Sequence, residues 1–288
     1  MAHSPVSTSL ETSRAAKDAA NVSLAGHEDG RLAGAIARPI VTPFARALSL
    51  LAAFNPQDRW LGNRDLTERT GLPGSTVTRI AKSLVQLGYL HYEPSERKYR
   101  LAASVLALGY AAIADSDVQR TARTRMRKFA DQHKVHVNLS CRDRLDLIVL
   151  ESCGGLQSPL SQSLYVGFRL GIGSSPMGWA FLAALPELER YYLLENVERR
   201  MPRQWARLRR RASQAIAQVH EIGYCASLGE WDQDLGIIAA PLWIEGHAPL
   251  VLACVGSSSQ MTRPRVEREL GPRLLALAAS IRQSGVSE

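Results

Sequence analysis

A Gly-Leu-Pro sequence separates two short adjacent stretches, of which the first is mostly polar and the second has apolar residues at helical spacing. The first stretch predicts a helix over about residues 63–70, and Gly71 with Leu72 predicts a turn after it. Pro73 suits the first turn of a second helix, because its missing N–H has no intrahelical partner to lose there. One side of that second helix is apolar, and it consists of Val77, Ile80, Ala81, Leu84 and Leu87.

Two short strands are predicted directly after the second helix. Gly88 is expected to end the helix. Leu90 and Tyr92, and then Tyr99 and Leu101, alternate with polar residues as half-buried strands do, on either side of a Glu-Pro-Ser-Glu turn. Two helices with a turn between them and a following hairpin make a winged helix-turn-helix, which lays its second helix in the major groove of DNA.

The side of the second helix opposite the apolar one carries hydroxyls, an amide and cations but no carboxylate. Such a face is common on solvated helices, but the preceding helix contains Asp65 and Glu68, so the exclusion of acid is specific to the second helix. Arg79, Ser75 and Thr76 are placed to contact bases, whereas the tip of the wing is placed to contact phosphate. The predicted DNA contacts are Arg64, Ser75, Thr76, Thr78, Arg79, Lys82, Arg97 and Lys98.

The rest of the first half divides into a tail, the winged-helix domain and a linker. Residues 1–43 are rich in Ala, Ser, Thr and Gly without sustained periodicity, which predicts a disordered tail. Residues 44–102 form the winged helix-turn-helix domain. Residues 103–116 are apolar and favour helix, so they predict a linker helix. Because so apolar a helix is rarely left in water, it is expected to pair two protomers as a homodimer.

The second half, residues 117–288, predicts an α+β domain with helices on both flanks of its strands. The expected elements are a helix at 117–134, strands at 135–141 and 145–151 with a charged turn at 142–144, a strand at 163–168, a helix from 176, helices at 186–199 and 204–221, strands near 224, at 235–243 and at 249–255, and a helix at 263–283. Side chains alternate along a strand, so Leu235, Ile237 and Ala239 are expected to share one face. Val251, Ala253 and Val255 are expected to share one face of the next strand.

Composition and charge narrow the class of protein. The chain of 288 residues has 45% hydrophobic residues, which is ordinary for a globular protein with two domains. A net charge of +8 and a pI near 9.6 favour an anionic partner. No apolar run reaches the roughly 18 residues of a membrane helix, so no membrane partner is expected. Four cysteines without paired short spacing favour reduced core thiols and a cytoplasmic location.

Signals of catalysis or metal binding are weak. His133 and His136 stand three residues apart, but no Cys, Asp or Glu recurs at ligand spacing, so surface or internally bonded histidines are favoured. There is no Gly-x-Ser-x-Gly elbow, and the Gly/Ser run at 171–175 lacks the lysine of a phosphate loop. We therefore expect no enzymatic activity, no metal and no cofactor.

The chain resembles the isocitrate-lyase-regulator (IclR) family of bacterial transcription factors over about residues 44–282. In the first half the resemblance rests on Thr70-Gly71-Leu72-Pro73, Ser75-Thr76-Val77, Arg79, Leu87-Gly88-Tyr89-Leu90 and Tyr99-Arg100-Leu101. In the second half it rests on Gly167-Phe168-Arg169-Leu170, Met177-Gly178-Trp179-Ala180, Glu221-Ile222-Gly223-Tyr224 and Ile238-Ala239-Ala240-Pro241. The resemblance implies a GAF-like effector-binding domain, homodimers or tetramers, palindromic double-stranded DNA operators and control of catabolic genes.

The resemblance also implies where a small-molecule effector binds. The positions that match the family's ligand contacts are Pro176, Met177, Leu235, Ile237, Ala253 and Val255. Members that sense small keto acids carry cysteine and serines where this chain has Ile237, Ala253 and Val255, so an apolar or aromatic metabolite is expected. Its polar end would meet Ser175, Ser227 or Glu230, with Trp231 as a stacking wall. The alternative is a plain core that binds no effector.

The sequence thus predicts a one-component, effector-responsive regulator that binds DNA sequence-specifically, with RNA polymerase as a further candidate partner. A second hypothesis is a ligand-sensing interaction protein whose winged helix contacts protein and not DNA.

Overall fold

The computed structural model describes residues 42–56, 58–113, 117–154, 164–245 and 247–284. The chain divides into two compact units between residues 115 and 116. The predicted disordered tail over 1–43 lies outside the described residues except for Thr42 and Pro43, which begin the first helix. Among the described helices, none is long and apolar enough to cross a membrane.

The first unit combines helices with a small three-stranded sheet. Its elements are α1 (Thr42–Leu51), β1 (Leu61–Gly62), α2 (Asn63–Thr70), α3 (Gly74–Gln86), β2 (Leu90–Glu93), β3 (Lys98–Leu101) and α4 (Ala103–Ile113). The sheet is antiparallel with the order β1-β3-β2, so β1 extends the β2-β3 hairpin on one side. The sequence analysis did not predict β1, because a strand of two residues shows no alternation.

Helices α2 and α3 form the helix-turn-helix. Gly71 ends α2 with a φ of 68°, a left-handed conformation that glycine adopts without strain. Pro73 was predicted in the first turn of α3 but lies one residue before it. The reason is that the chain is still extended at Pro73, with a ψ of 140°, while its carbonyl accepts the first helical hydrogen bond from the Val77 N–H at 3.0 Å.

The apolar side of α3 builds the core of the first unit. Val77, Ala81 and Leu84 are buried, as predicted. Leu87 was placed on the same side but is 68% exposed. The helix ends one residue before Leu87, so the helical periodicity no longer applies to it.

The β2-β3 hairpin forms the wing. Leu90 lies opposite Leu101, and Tyr92 lies opposite Tyr99 at a ring distance of 4.8 Å. Leu90 and Tyr99 are buried, whereas Tyr92 and Leu101 are exposed. Each strand is therefore anchored in the core by one residue.

The second unit is built on a six-stranded antiparallel sheet with the order β6-β5-β4-β9-β8-β7. Its elements are α5 (Asp117–His133), β4 (His136–Asp143), β5 (Asp146–Cys153), β6 (Arg169–Gly171), α6 (Pro176–Ala184), α7 (Glu187–Arg200), α8 (Trp205–Ile222), β7 (Cys225–Leu228), β8 (Leu235–Leu242), β9 (Leu250–Ser257), α9 (Arg263–Arg265), a π-helical turn (Val266–Leu270) and α10 (Gly271–Ser284).

Two details of the sheet differ from the prediction. The strand predicted over 163–168 lies instead at β6, because Gly167 has a φ of 89° and the Phe168 N–H bonds the Tyr165 carbonyl at 2.9 Å, which turns the chain there. The charged turn predicted at 142–144 begins later, because β4 stays paired with β5 through Asp143.

The sheet separates two hydrophobic cores. One face packs against α6, α7 and α8 and includes Ile237, Ala253 and Val255; we call it the α6 face. The other face packs against α5 and α10 and includes Ile238 and Cys254; we call it the α10 face. Consecutive strand residues thus enter different cores, as the alternation predicts. The predicted α+β class, with helices on both flanks of the sheet, is confirmed.

Candidate functional site

The first candidate site is the outer side of α3. Ser75, Arg79 and Lys82 are exposed there, and Thr76 is half-buried beside them. The helix contains no acidic residue, so the surface around these cations lacks local carboxylates. A helix of 13 residues with such a face can present hydrogen-bond donors and positive charge to the edges of bases and to phosphates.

Hydrogen bonds between α2 and α3 fix the position of that helix. The Asn63 side-chain amide donates to Thr78 Oγ1 at 2.9 Å and to the Gly74 carbonyl at 3.3 Å. Thr78 Oγ1 donates in turn to the same carbonyl at 2.9 Å. The Thr78 hydroxyl, which was predicted to contact DNA, is therefore used within the domain as donor and acceptor, and it positions α3.

The basic residues outside α3 are not equivalent. Arg64 is solvent-exposed and pairs with Glu68 at 2.9 Å, and Lys98 pairs with Glu96 at 3.2 Å. Arg97 lies at the wing tip with a φ of 53°, exposed to solvent. Two wing cations were predicted to contact DNA. Lys98 is paired with Glu96, whereas Arg97 is exposed and does not share that partner.

One wing cation was missed in the sequence. The Arg100 guanidinium lies 5.0 Å from the ring of Trp60, and its side chain is exposed on β3. The contact holds Arg100 on the wing strand β3, where it lies opposite His91. The sequence offered no signal for it, because the two residues are far apart along the chain.

The second candidate site is the α6 face of the large sheet. The predicted apolar contacts Met177, Leu235, Ile237, Ala253 and Val255 are all buried and belong to one core. Ile237 lies directly opposite Val255, and Ala239 lies opposite Ala253. The sheet therefore brings together the apolar residues that the sequence analysis assigned to an effector.

The start of α6 lies over this face. Pro176 is buried at the first position of the helix, and its carbonyl accepts a hydrogen bond from Cys225 Sγ on β7 at 3.3 Å. A side chain at Gly178 would place Cβ 2.2 Å from the Ile172 carbonyl oxygen, so only glycine permits this close approach. Trp231 packs against the edge of the same core.

The three polar anchors predicted for an effector have other roles in the structure. Ser175 caps α6: its Oγ donates to the Gly171 carbonyl at 2.9 Å and accepts from the Gly178 N–H at 3.1 Å. Ser227 Oγ donates to Glu230 at 3.1 Å and accepts from the Trp231 N–H at 3.1 Å. The hydroxyls of both serines thus already have a donor and an acceptor partner, and Glu230 closes the β7-β8 loop.

The sequence analysis missed a row of polar side chains on β4. His136, Asn138 and Ser140 lie opposite Val255, Ala253 and Val251. Opposed residues of antiparallel strands share a face, so all three project into the α6 core. The signal was available, because the sequence from His136 to Ser140 places a polar residue at every second position of a predicted strand.

The two histidines differ in their surroundings. His133 Nδ1 lies 3.1 Å from Glu269 and its Nε2 lies 3.3 Å from Arg273, so it is internally bonded as predicted. His136 is buried, and Nε2 makes no hydrogen bond within the described residues, which contradicts the prediction of a surface or satisfied side chain. Burial lowers the pKa of His136, so its imidazole is neutral near pH 7.

Among the described residues, the cysteines show no activated thiol and the acidic residues form no metal-binding cluster. All four cysteines are free thiols, and burial raises the pKa of Cys225 and Cys254 to about 12. Such thiols stay protonated and are poor nucleophiles at neutral pH. In the described ranges, no cluster of three or more His, Cys, Asp or Glu side chains could hold a metal ion.

Comparison with known proteins identifies the family. Residues 44–94 match the IclR helix-turn-helix domain, and residues 110–283 match the C-terminal domain of bacterial IclR transcriptional regulators. The chain belongs to the IclR family. IclR proteins are DNA-binding transcriptional regulators and not enzymes, so the chain is a DNA-binding transcriptional regulator.

Several known proteins resemble this IclR chain along most of its length. The transcriptional regulator TsaQ1/TsaQ2 of Comamonas testosteroni is 30% identical, and the match covers 84% of this chain and 87% of the relative. An IclR-family regulator from Brucella abortus has a crystal structure with 35% identity and a TM-score of 0.72, covering 86% of this chain and 94% of that one. An IclR homologue from Microbacterium hydrocarbonoxydans, solved with 4-hydroxybenzoate, shares the fold at 23% identity and a TM-score of 0.63 over 85% of this chain and all of its own.

Proposed function

We propose that this IclR regulator is a one-component, effector-responsive switch for catabolic genes, which binds a palindromic operator and senses a small apolar or aromatic metabolite. The exposed, acid-free polar face of α3 carries the proposal of DNA binding, and the class of effector rests on the buried and mostly apolar α6 face of the sheet. The regulator would act in the cytoplasm, where its DNA partner is found. RNA polymerase would be a further partner.

The proposal gives the DNA contacts separate roles. Arg79, Ser75 and Thr76 would meet base edges in the major groove, where a guanidinium can bind guanine with two hydrogen bonds. Lys82 and Arg97 would contact phosphates, because both are exposed cations, Lys82 on α3 and Arg97 at the tip of the wing. Arg64 and Lys98 would contribute less, since each is paired with a glutamate.

The same proposal includes assembly as a homodimer, and as a tetramer that consists of two such dimers. Helix α4 contains no charged residue, and Leu106 and Leu108 on it are 74% and 58% exposed. Exposed apolar surface of this kind is typical of an interface. A two-fold dimer would present two copies of α3 to half-sites about one helical turn, or a multiple, apart.

A salt-dependent gel shift with genomic fragments tests DNA binding against the alternative of a protein partner. Arg97→Ala should weaken binding to operator and random DNA alike, and it should reduce the slope of log affinity against log salt by about one. Lys98→Ala should change the slope less, because Lys98 already pairs with Glu96.

The matched control is Arg209→Ala, which removes an exposed arginine from α8 and changes the net charge equally. If this control alters the slope as much as Arg97→Ala does, the wing has no special role. If no fragment is shifted at any salt concentration, the protein-partner hypothesis replaces the DNA-binding proposal.

A thermal-shift titration tests the class of effector. Phenol should raise the melting temperature, by several degrees at about 100 times the dissociation constant, whereas glyoxylate and pyruvate should not. Glyoxylate and pyruvate each carry a carboxylate, and no lysine or arginine is buried among the described residues to compensate its charge. Stabilisation by the keto acids alone would contradict the proposed class.

Two alanines provide a matched pair for this titration. Ala253 and Ala240 are fully buried on neighbouring strands, but Ala253 lies on the α6 face and Ala240 on the α10 face. Ala253→Val should reduce the response to phenol by filling space on the effector side. Ala240→Val should destabilise the free protein to a similar degree and leave the ligand response intact. An equal loss of response in both variants would mean that the α6 face is not the effector site.

A further inference from the structure

Strand β4 places polar side chains in the middle of an apolar core. Asn138 and Ser140 are fully buried and His136 is 6% exposed. Their partners across the β4-β9 pairing are the aliphatic residues Val255, Ala253 and Val251 of the α6 face. The row is therefore central in the sheet and lies on the side that α6 covers.

These groups are buried without hydrogen bonds. Within the described residues, both side-chain atoms of Asn138, the Ser140 hydroxyl and Nε2 of His136 have no hydrogen-bond partner. Buried polar groups of natural proteins are nearly always bonded, because an unmade bond leaves their desolvation uncompensated. Unsatisfied groups in one row call for a partner that the described residues do not supply.

The residues paired with Asn138 across the sheet on the β9 side have small side chains. Across the sheet from Asn138 the opposed residues are Ala253 on β9 and then Ala239 on β8. Both are alanines in the same core, so the strip of sheet beside the amide carries only methyl side chains. A flat apolar group could lie over this strip with its polar end at Asn138.

We propose that His136, Asn138 and Ser140 bind the polar end of the effector, and that this end is an uncharged hydroxyl, carbonyl or amide and not a carboxylate. The inference rests on the proposed effector function of the α6 face. An amide and a hydroxyl offer both donors and acceptors, which suits a neutral polar group. Among the described residues no lysine or arginine is buried, so a carboxylate in this core would find no cationic side chain to compensate its charge.

Binding of benzamide and benzoate, two probes of similar shape and different charge, tests the inference by calorimetry on the full chain. Benzamide should bind the wild type more tightly than benzoate. Asn138→Leu, which keeps the size of the side chain, should weaken benzamide binding by about 10- to 100-fold. Ser140→Ala should weaken it less. Cys141→Ala is the matched control on the same strand, since its side chain points to the other face, and it should leave binding unchanged.

The melting temperature of the free protein gives a readout that needs no ligand. If the Asn138 amide is unsatisfied, Asn138→Leu should melt at the wild-type temperature or above it, because an apolar residue suits the site better. A fall of several degrees would overturn the inference, since it would mean that the amide is bonded in the free protein. An internal water bonded to the Asn138 amide would cause the same fall in the melting temperature of Asn138→Leu.

The outcomes separate the inference from the proposed function. Equal binding of benzamide to wild type and Asn138→Leu overturns the role of the polar row but leaves the effector face intact. If benzoate binds the wild type more tightly than benzamide does, the proposal of an uncharged polar end is wrong. If neither probe nor phenol binds the wild type, the proposed effector class fails, while an unchanged or raised melting temperature of Asn138→Leu still supports an unsatisfied row.

Discussion

Replacing Leu106 by aspartate should convert a homodimer into monomers and abolish operator binding. Leu106 is 74% exposed on a helix without charged residues. Burying one leucine contributes about 1.5–3 kcal/mol, and the two-fold symmetry of a dimer doubles the loss when a charge replaces it. A monomer binds only one half-site at a time, whereas a dimer binds both together. Operator affinity should therefore fall by about 10²- to 10⁴-fold. Sedimentation at micromolar concentration and a gel shift measure both effects.

Leu188→Asp is the matched control for this variant. Leu188 is 85% exposed on α7 in the other unit, so the same substitution is made on an exposed leucine of a different helix. The control should stay dimeric and bind operator normally. Dispersal by Leu188→Asp and not by Leu106→Asp would move the interface to α7. A wild type that sediments as a stable monomer would contradict the proposal altogether.

Arg79→Ala should weaken operator binding and relax its sequence preference. Arg79 is exposed in the middle of the acid-free face of α3, where a guanidinium can bind guanine with two hydrogen bonds. The loss should be roughly 1–3 kcal/mol per half-site, or about 10- to 100-fold for each. Competition between operator and random DNA measures it, because the operator should lose far more affinity than the random fragment does.

Arg97→Ala is the appropriate comparison for Arg79→Ala. A wing contact to phosphate positions the protein without reading bases, so this variant should lose affinity for both DNAs by the same factor. If the two variants lose equal affinity on operator and on random DNA, the division of roles between α3 and the wing is wrong.

Elements with strong periodicity were predictable from the sequence. The bounds of α2 are as predicted, and α7 and α8 begin and end within one residue of their predicted positions. The alternation placed Leu235, Ile237 and Ala239 on one face of β8. It placed Val251, Ala253 and Val255 on one face of β9, and the structure confirms both predictions. These predictions succeeded because burial imposes the period of each element directly on its residues.

The polar side chains that would meet the proposed effector were not predicted, although the polar alternation from His136 to Ser140 is visible in the sequence. Ser175 and Ser227 were chosen as anchors because they are hydroxyls near the expected site, but local turns and a helix cap use their hydrogen bonds. Which polar atoms stay unsatisfied depends on contacts between distant segments. The pairing of β4 with β9, which places Asn138 beside Ala253, joins residues more than a hundred positions apart.

Strand β8 constrains how a signal can cross the second unit. Its successive residues Ile237 and Ile238 belong to opposite cores, and both are almost fully buried. Sliding the strand by one residue would exchange every side chain between the two cores, which close packing forbids. A disturbance that begins under α6 can therefore reach α5 and α10 only as a tilt or bend of the whole strand. The sheet thus transmits such a disturbance by changing its shape while the register of its strands stays fixed.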